Sequence, residues 1–252
     1  MCRMLAKISV YPTTIVEEML LCPTSLHYLS SQGRMPEDPE TRGPHNDGCG
    51  IAYVNNKSIE IHKRDREHIW DNSYRLIIEN VKSNLFIAHN RKATKDLEVN
   101  KDRSHPFYYQ HFAFCHNGSV YSYMDEAQDK GLTDTEIFLH QLIDKSKNAS
   151  PETIFTALSE IANTTNYSSL TAFLMGNDEL FAWRIFNDKN HEKALRFEDY
   201  YTLWLKKTKD SVVIASEPLD HSDWEKLPNF SFLHFKPDGD SIHQFRKKII
   251  GH

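Results

Sequence analysis

The sequence lacks three features that would assign its class directly: an excess of basic charge, closely paired cysteines and long apolar runs. Its 252 residues carry 30 Lys and Arg against 35 Asp and Glu, a formal charge of −5, which leaves no electrostatic footprint for nucleic acid. The four cysteines contain no C-x-x-C pair, which argues against a disulfide framework or a zinc ribbon and favours a reducing compartment. They are Cys2, Cys22, Cys49 and Cys115.

No stretch reaches the ~18 apolar residues of a membrane span. Lys7 interrupts the apolar opening segment, and no cleavage site typical of a signal peptide follows it. We therefore expect a cytoplasmic protein that binds neither membrane nor nucleic acid.

The chain is rich enough in apolar side chains to fold as one large domain. It is 39% hydrophobic and 12% aromatic, and it contains no repeat, low-complexity tract or dividing linker. We expect a single domain over residues 1–252. The segment 30–48, rich in Gly, Pro and charge, is predicted to be a long loop, and such loops are often functional.

Hydrophobic periodicity predicts antiparallel sheets covered by helices, an α+β fold. A helix is expected over 68–83, another over 133–147 with a Thr133/Glu136 capping box, and a third over 150–166 with Ser150 as N-cap. Predicted strands and hairpins cover 3–10, 50–64, 84–90, 111–120, 169–186, 201–207, 211–219 and 230–245, with turns at 55–56, 176–178 and 237–239.

Cys2 follows the initiator methionine directly. Removal of Met1 would leave a thiol, with a pKa of about 8.5, and an α-amine, with a pKa of about 7.7 to 8.0, on one residue. Such a residue combines a nucleophile with a base. The alternative interpretation is a small apolar side chain that opens a strand.

Three further fragments each have a structural and a functional interpretation. Asn117-Gly118 is typical of a hairpin turn, but it also offers two neutral donors to an oxyanion. Arg91 and Thr94 lie at a strand end, where Arg is suited to bind a carboxylate. Asp134 sits in a first helical turn, where an acid complements the helix dipole or binds a substrate ammonium. Together with the thiol and the α-amine of Cys2, these groups are suited to hydrolyse the side-chain amide of an amino acid.

Seven motifs then occur in a characteristic order: MCRML, DGCGIAYV, AHNRKAT, HPF, FCHNGSV, TDTE and VIASEPL. In this order they resemble the class II glutamine amidotransferases, N-terminal nucleophile (Ntn) hydrolases with a four-layer αββα sandwich. The C-R-x-L start and the D-G-x-G-I-A-Y segment are similar to the stand-alone branch of that family.

The resemblance implies that Cys2, freed by removal of Met1, attacks a γ-amide with its own α-amine as base and forms a thioester. It implies an oxyanion hole made of Asn117 and Gly118. The substrate-binding positions that it implies are Arg91 for the α-carboxylate and Asp134 for the α-ammonium, with Thr94 and His116 lining the same pocket.

The implied substrate is glutamine or a γ-glutamyl compound, without cofactor or metal. Two alternatives remain open: a glutaminase that passes ammonia to a separate synthase, and a non-catalytic binding module of the same fold. Lys92 and Cys49 stand where relatives often have Trp, and we expect both to alter the pocket wall; Cys115 is expected to be a packing residue.

A metal site built from His105, His111, Cys115 and His116 is the main rival from chemistry alone. In an extended strand, Cys115 and His116 point to opposite faces, and His111 lies about 13 Å from Cys115 at ~3.3 Å per residue. The spacing therefore argues against a shared ion.

Overall fold

The computed structural model describes residues 2–35, 38, 40–93, 99–189 and 197–249. Its helices are α1 (Leu26–Gln32), α2 (Asn72–Asn80), α3 (Met124–Lys130), α4 (Asp134–Ser146) and α5 (Pro151–Thr164), with a π-turn at Glu17–Leu21 and a 3₁₀ turn at Tyr121–Tyr123. The first eight strands are β1 (Arg3–Thr13), β2 (Gly33–Arg34), β3 (Arg42–Gly43), β4 (Gly48–Asn55), β5 (Ser58–Asp65), β6 (Ser83–Asn90), β7 (Phe107–Tyr109) and β8 (Phe112–Asn117). The remaining strands are β9 (Thr171–Met175), β10 (Leu180–Arg184), β11 (Trp204–Lys207), β12 (Ser211–Ala215), β13 (Glu225–Lys226), β14 (Ser231–Asp238) and β15 (Ser241–Lys248).

Two large antiparallel sheets form the centre of the molecule. The seven-stranded sheet has the order β13-β11-β12-β1-β6-β4-β5, and the six-stranded sheet has the order β15-β14-β10-β9-β8-β7. β2 and β3 make a separate two-stranded ribbon. Every strand pair in these sheets is antiparallel, as the hairpin pattern of the sequence predicts.

Three buried clusters define four layers. One lies between the sheets and joins Met4 and Ile87 to Phe173 and Leu233. A second packs α4 and α5 onto the six-stranded sheet around Trp183. The third packs α1 and α2 onto the outer face of the seven-stranded sheet. The expected αββα sandwich is therefore confirmed. No helix in the described ranges is long and apolar enough to cross a membrane.

Local capping signals predicted two of the helices closely. Thr133 and Glu136 form the expected capping box of α4, and Ser150 caps α5 with Pro151 in its first turn. The helix expected over 68–83 is shorter, because Asp71 caps it and Trp70 adopts a positive φ of 62° that no right-handed helix tolerates.

Two features of the loops differ from expectation. The turn of the β4–β5 hairpin is Asn56–Lys57, not Asn55–Asn56, because Asn55 pairs with Ser58 and the two turn residues have positive φ. The segment 30–48 is not a plain loop, since its described part holds the end of α1 and the β2–β3 ribbon.

Candidate active site

Strand alternation brings three polar side chains together at one end of the sandwich. Alternate residues of a strand share a face, and the inter-sheet faces of β1, β6 and β8 carry Met4, Ala6, Ile8, Leu85, Ile87, Ala113 and Cys115. Cys2, His89 and Asn117 continue the same alternation at the ends of these strands. Met4 pairs with His89 in the sheet, so Cys2, two residues before Met4, is a diagonal neighbour of His89 on the same face.

Cys2 and Asn117 are joined directly across the two sheets. The backbone N–H of Cys2 donates a 2.8 Å hydrogen bond to Oδ1 of Asn117. This hydrogen bond fixes the orientation of the Asn117 side-chain amide, because only its oxygen can accept a proton from the N–H group. The Nδ2 group of Asn117 is buried and has no hydrogen-bond partner among the described residues. An unpaired buried donor costs about 1–3 kcal/mol, so it marks a position where a ligand acceptor would be stabilised.

A cavity of about 450 Å³ opens beside Cys2. Its volume lies in the range of small-molecule sites. Four of the predicted site residues line it with Cys2: Arg91, His116, Gly118 and Asp134. The rest of the wall includes Lys92, Arg103, His105, Phe107 and the α3 residues Met124, Ala127 and Gln128. The cavity therefore combines basic and acidic groups with an apolar side formed by α3.

The thiol of Cys2 is held in a setting that favours its ionised form. Burial raises the pKa of the Cys2 thiol, but the adjacent His89 imidazole, the positive charge of the N-terminus and the backbone N–H of Lys92 lower it by more, to about 5. A thiol with so low a pKa is a thiolate at neutral pH. The thiolate is the nucleophilic form of cysteine.

Gly118 must lack a side chain at this position. A Cβ added there would overlap the carbonyl oxygen of Ser169 and lie 2.8 Å from Nε2 of His116. No hairpin turn occurs here, since β8 pairs with β7 and β9, and the chain continues into the 3₁₀ turn. The hairpin interpretation of Asn117-Gly118 is therefore wrong, because close backbone packing and not a positive φ requires the glycine.

His116 points away from the inter-sheet core and toward α4. Its Nε2 lies 2.9 Å from the carbonyl oxygen of Ser169, and its Nδ1 lies 3.0 Å from Oγ1 of Thr135. A carbonyl only accepts, so Nε2 carries the proton and Nδ1 accepts from Thr135. Burial lowers the pKa of His116 to about 4 despite the carboxylate of Asp134. The ring is therefore neutral and links β8 to the start of α4.

Arg91 and Asp134 supply opposite charges to the cavity. Arg91 directly follows β6, where its backbone N–H donates to the carbonyl of Gly48 at 2.8 Å, and its side chain is buried. Asp134 opens α4, and its Oδ2 accepts the backbone N–H of Val120 at 2.8 Å. A zwitterionic amino acid presents the complementary pair of charges.

An ionic cluster holds the β2–β3 ribbon against the beginning of β1. Glu217 is buried and forms ion pairs with Arg3 (3.5 Å), Arg34 (3.6 Å) and Arg42. The backbone N–H of Arg34 also donates to Glu217 at 2.9 Å. Arg3 is fully buried and follows Cys2 directly, so this cluster anchors the chain on which the thiol is carried.

Cys2, His89 and His105 are the group in the described chain whose ligand atoms come close enough for a metal ion, within 4.8 Å of one another. However, Nε2 of His89 lies 2.7 Å from Nδ1 of His105, a hydrogen-bond distance. Two nitrogens bound to one tetrahedral zinc at about 2.0–2.1 Å lie about 3.3 Å apart. The two rings are hydrogen-bonded to each other and are too close to share an ion in this arrangement.

The rival metal set from the sequence is not assembled. Cys115 packs between the sheets, whereas His116 faces α4, as strand alternation predicted. His111 lies in the turn between β7 and β8. These side chains therefore do not converge on one point.

Comparison with known proteins places the chain in a family. The model of the class-II glutamine amidotransferases matches residues 35–251, most of its length. The chain belongs to the class-II glutamine amidotransferases. The matched range starts after Cys2, so the position of Cys2 beside Asn117 is an independent observation.

Individual proteins resemble this amidotransferase in sequence or in fold. An uncharacterized protein of Methanocaldococcus jannaschii is 29% identical over 234 residues, which cover 81% of this chain but only 64% of that protein. A glutamine aminotransferase class-II domain protein from Silicibacter pomeroyi superimposes with a TM-score of 0.61 at 18% identity, covering 97% of this chain and 98% of that one. Glutamine phosphoribosylpyrophosphate amidotransferase from B. subtilis superimposes with a TM-score of 0.65 at 16% identity, covering 97% of this chain and 49% of that one. The two superpositions show a shared Ntn fold.

The sequence predicts that Lys92 and Cys49 both lie at the pocket wall. Lys92 lines the cavity as expected. Cys49 does not: it is buried against α2 beside Tyr74, because strand alternation in β4 turns it to the outer face of the sheet. The expectation that Cys49 alters the pocket wall is therefore wrong. Cys115 is a packing residue between the sheets, as expected.

Thr94 lies outside the described residues, so its predicted place in the pocket stays a prediction. Sequence reasoning missed His89, although it lies inside the AHNRKAT motif. Its position two residues before Arg91, after the inward-facing Leu85 and Ile87, is the signal that could have identified it.

Proposed function

We propose that this amidotransferase hydrolyses the γ-amide of glutamine or a γ-glutamyl compound through a thioester on Cys2, working as a single domain over residues 1–252. The strongest support is that Gly118, Arg91 and Asp134 line one cavity together with the Cys2 thiol, whose pKa is low. Asn117 is hydrogen-bonded to the backbone N–H of the same cysteine. These groups match the reacting carbon, the oxyanion and the two charges of a γ-glutamyl substrate.

In the first half-reaction, the Cys2 thiolate attacks the γ-carbonyl carbon and forms a C–S bond. The carbonyl oxygen becomes an oxyanion, which accepts hydrogen bonds from Nδ2 of Asn117 and the backbone N–H of Gly118. Collapse of this intermediate breaks the C–N bond. The leaving nitrogen takes a proton from the protonated α-amine of Cys2 and departs as ammonia or an amine, which leaves the γ-glutamyl thioester and a neutral α-amine.

In the second half-reaction, water replaces the departed amine. Its proton passes to a base as the oxygen attacks the thioester carbon, and the C–S bond breaks to return the thiolate and glutamate. The base in this proposal is the α-amine of Cys2, exposed once Met1 is removed. An amine that donates one proton to Asn117 Oδ1, as the Cys2 nitrogen does at 2.8 Å, keeps its lone pair available for the water.

Arg91 and Asp134 would select the substrate by its α-carboxylate and α-ammonium groups. Both line the cavity from different structural elements, Arg91 directly after β6 and Asp134 at the start of α4, which supports a clamp on the two charged groups. Water takes up the γ-glutamyl group in this proposal, and the nitrogen is released as free ammonia or amine. A separate synthase that takes up the ammonia is an alternative outcome of the turnover experiment.

The first experiment is the intact mass of the purified protein before and after incubation with a diazo-ketone analogue of glutamine, followed by peptide mapping. We expect loss of Met1 and one adduct on Cys2. No adduct on a mature Cys2 would contradict the proposal and favour a binding module. Cys22 is a half-buried thiol elsewhere on the chain and serves as the internal control for non-specific labelling.

Turnover of the isolated chain then separates hydrolase from ammonia donor. We expect release of glutamate from glutamine or from γ-glutamyl peptides without any added protein. Covalent labelling of Cys2 combined with no turnover of either substrate class would instead favour a glutaminase that depends on a partner.

A further inference from the structure

The DGCGIAYV motif lies beside the candidate site, but the proposed chemistry uses none of its residues. Gly48 opens β4, and Asp47 directly precedes it. Neither is among the described residues that line the cavity. Both contact the segment after β6, where residues 91–93 form part of the cavity wall. Asp47 and Gly48 can therefore influence the site only through this segment.

Asp47 holds the chain on both sides of Lys92. Its backbone N–H donates to the carbonyl oxygen of Arg91 at 2.9 Å, and the Arg91 N–H donates to the Gly48 carbonyl at 2.8 Å. These two bonds extend the pairing of β4 with β6 past the last residues of the ladder. Beyond them the side chain takes over, since Oδ2 of Asp47 accepts the backbone N–H of Ala93 at 2.7 Å. The backbone that carries the Arg91 guanidinium is therefore fixed at both ends.

The two carboxylate oxygens of Asp47 have different partners. Oδ2 binds the cavity wall at Ala93, whereas Oδ1 forms an ion pair with the exposed Arg66. Burial raises the pKa of Asp47, but the hydrogen bonds from Arg66 and Ala93 and the charges of Arg66 and Arg91 lower it by more. The group is therefore ionised at neutral pH, and an ionised acceptor makes a stronger hydrogen bond than a neutral one.

We propose that Asp47 is a positioning residue that fixes Arg91 for the substrate α-carboxylate by holding the backbone on both sides of Lys92. The inference rests on the proposed function, because it concerns the residue assigned there to the α-carboxylate. Asp47 does not touch the substrate and acts through Arg91. A guanidinium whose backbone is already fixed loses less conformational entropy when it binds a carboxylate, which raises the affinity.

The test is ligand binding to Cys2→Ala protein with Met1 removed, which cannot form a thioester. Isothermal titration calorimetry gives the Kd of this parent for glutamine and for its α-carboxamide. Asp47→Ala then removes the acceptor, whereas Asp47→Asn keeps an amide oxygen that can accept the Ala93 N–H. The matched control is Arg66→Gln, which breaks the ion pair on Oδ1 and leaves the bond from Ala93 to Oδ2 in place.

Asp47→Ala should raise the Kd for glutamine about threefold to tenfold, and by no more than Arg91→Ala does. It should leave the Kd for the carboxamide unchanged, because that ligand presents no charge to Arg91. Asp47→Asn and Arg66→Gln should stay within about twofold of the parent, since the exposed Arg66 can turn away from the new amide group. Equal weakening of both ligands by Asp47→Ala would overturn the inference, as would a loss in Asp47→Asn or Arg66→Gln as large as in Asp47→Ala.

A double-mutant cycle tests whether Asp47 acts through Arg91. In protein that already carries Arg91→Ala, the further change Asp47→Ala should alter the Kd for glutamine by less than about twofold. Two substitutions that act through one group are not additive. A full additional loss would show that Asp47 affects binding by another route, and this result would overturn the inference.

The melting temperature checks the folding of each variant. If Asp47→Ala does not fold, Asp47→Leu takes its place with the same expected result, because its branched side chain keeps the shape of the aspartate without an acceptor.

Binding to Cys2→Ala requires no turnover, so this inference and the proposed function can fail separately. Weaker binding of glutamine but not of the carboxamide by Asp47→Ala, in a chain whose wild type hydrolyses no γ-amide, would support the inference and contradict the proposed function. An unchanged Kd in folded Asp47→Ala, beside normal hydrolysis by the wild type, would overturn the inference alone. No binding of either ligand to Cys2→Ala would overturn the inference together with the carboxylate assignment of Arg91.

Discussion

The backbone N–H of Cys2 donates to Oδ1 of Asn117 across 115 residues of sequence. Cys2 precedes β1 of the seven-stranded sheet, and Asn117 ends β8 of the six-stranded sheet. This single 2.8 Å bond therefore joins the two central layers at the edge of the cavity. The candidate site exists only where the ends of the two sheets meet.

Replacing the thiol tests the nucleophile. We predict that Cys2→Ala abolishes release of glutamate from every γ-glutamyl substrate, because no other group on the cavity wall forms a thioester. The melting temperature should change little, since the substitution removes one sulfur atom. Cys22→Ala is the matched control and should keep full activity. Appreciable turnover by Cys2→Ala in an ammonia-release assay would refute the assignment.

Asn117→Ala removes a donor to the oxyanion. The amide holds the Cys2 nitrogen with its oxygen and leaves Nδ2 unpaired, so truncation should lower kcat by about a hundredfold to a thousandfold. KM should change less, because the donor acts on the transition state. Asn84→Ala, at the opposite end of β6 from Arg91, where the amide donates to the Ser9 and Val10 carbonyls, is the control. Equal loss in both variants would point to a general defect in folding.

Arg91→Ala should raise KM for substrates that carry a free α-carboxylate by about tenfold or more, the effect of losing one charged hydrogen bond. Steady-state kinetics on glutamine and on its α-carboxamide check this. The carboxamide should be affected little, because it carries no charge for the guanidinium. Similar KM changes for both substrates would mean that the carboxylate binds elsewhere. Arg91→Lys keeps the charge but not the planar fork, and should be intermediate.

Asp134→Asn separates charge from hydrogen bonding. The amide oxygen can still accept the Val120 N–H, now 2.8 Å from Oδ2, so the start of α4 should hold its shape. The lost charge should raise KM for glutamine by roughly tenfold, with a smaller effect on N-acetylglutamine, which lacks an ammonium group. Circular dichroism checks the helix. A variant that binds both substrates like the wild type would contradict the ammonium assignment.

Glu217→Gln tests the ionic cluster under Cys2. Arg3 is fully buried and would lose its carboxylate partner, so we predict a loss of about 3–5 kcal/mol in the free energy of unfolding. Urea denaturation measures this. Glu225→Gln breaks the exposed pair with Arg246 and should cost no more than about 1 kcal/mol. Equal effects of the two substitutions would show that burial of the cluster adds no stability.

Secondary structure was predicted best where its signals are contained within a single turn. The α4 capping box and the Ser150-Pro151 start of α5 involve residues at most three positions apart, and both form as expected. The β4–β5 turn was misplaced by one residue because strand pairing, and not the Asn-Asn pair, sets its register. Trp70 likewise delayed the start of a predicted helix through its positive φ.

The candidate site was predicted in part. The order of the motifs predicted that Cys2, Arg91, Gly118 and Asp134 belong to one site, and these residues do line one cavity. Cys49 was predicted at the pocket wall but lies on the outer face of the seven-stranded sheet. The position of a residue in a motif does not show on which face of a strand its side chain lies. His89 was overlooked because a lone histidine in an apolar strand resembles a core residue.

By itself, the sequence determined the residue types available for chemistry, the period of each strand and the caps of its main helices, because all of these depend on neighbours within a few positions. Only the tertiary structure decided that Cys2, His89 and Asn117 meet. Strand parity assigns each of them to a face, but the stacking of two sheets by burial of a shared apolar layer, including Met4, Ile87 and Cys115, is what brings those faces together.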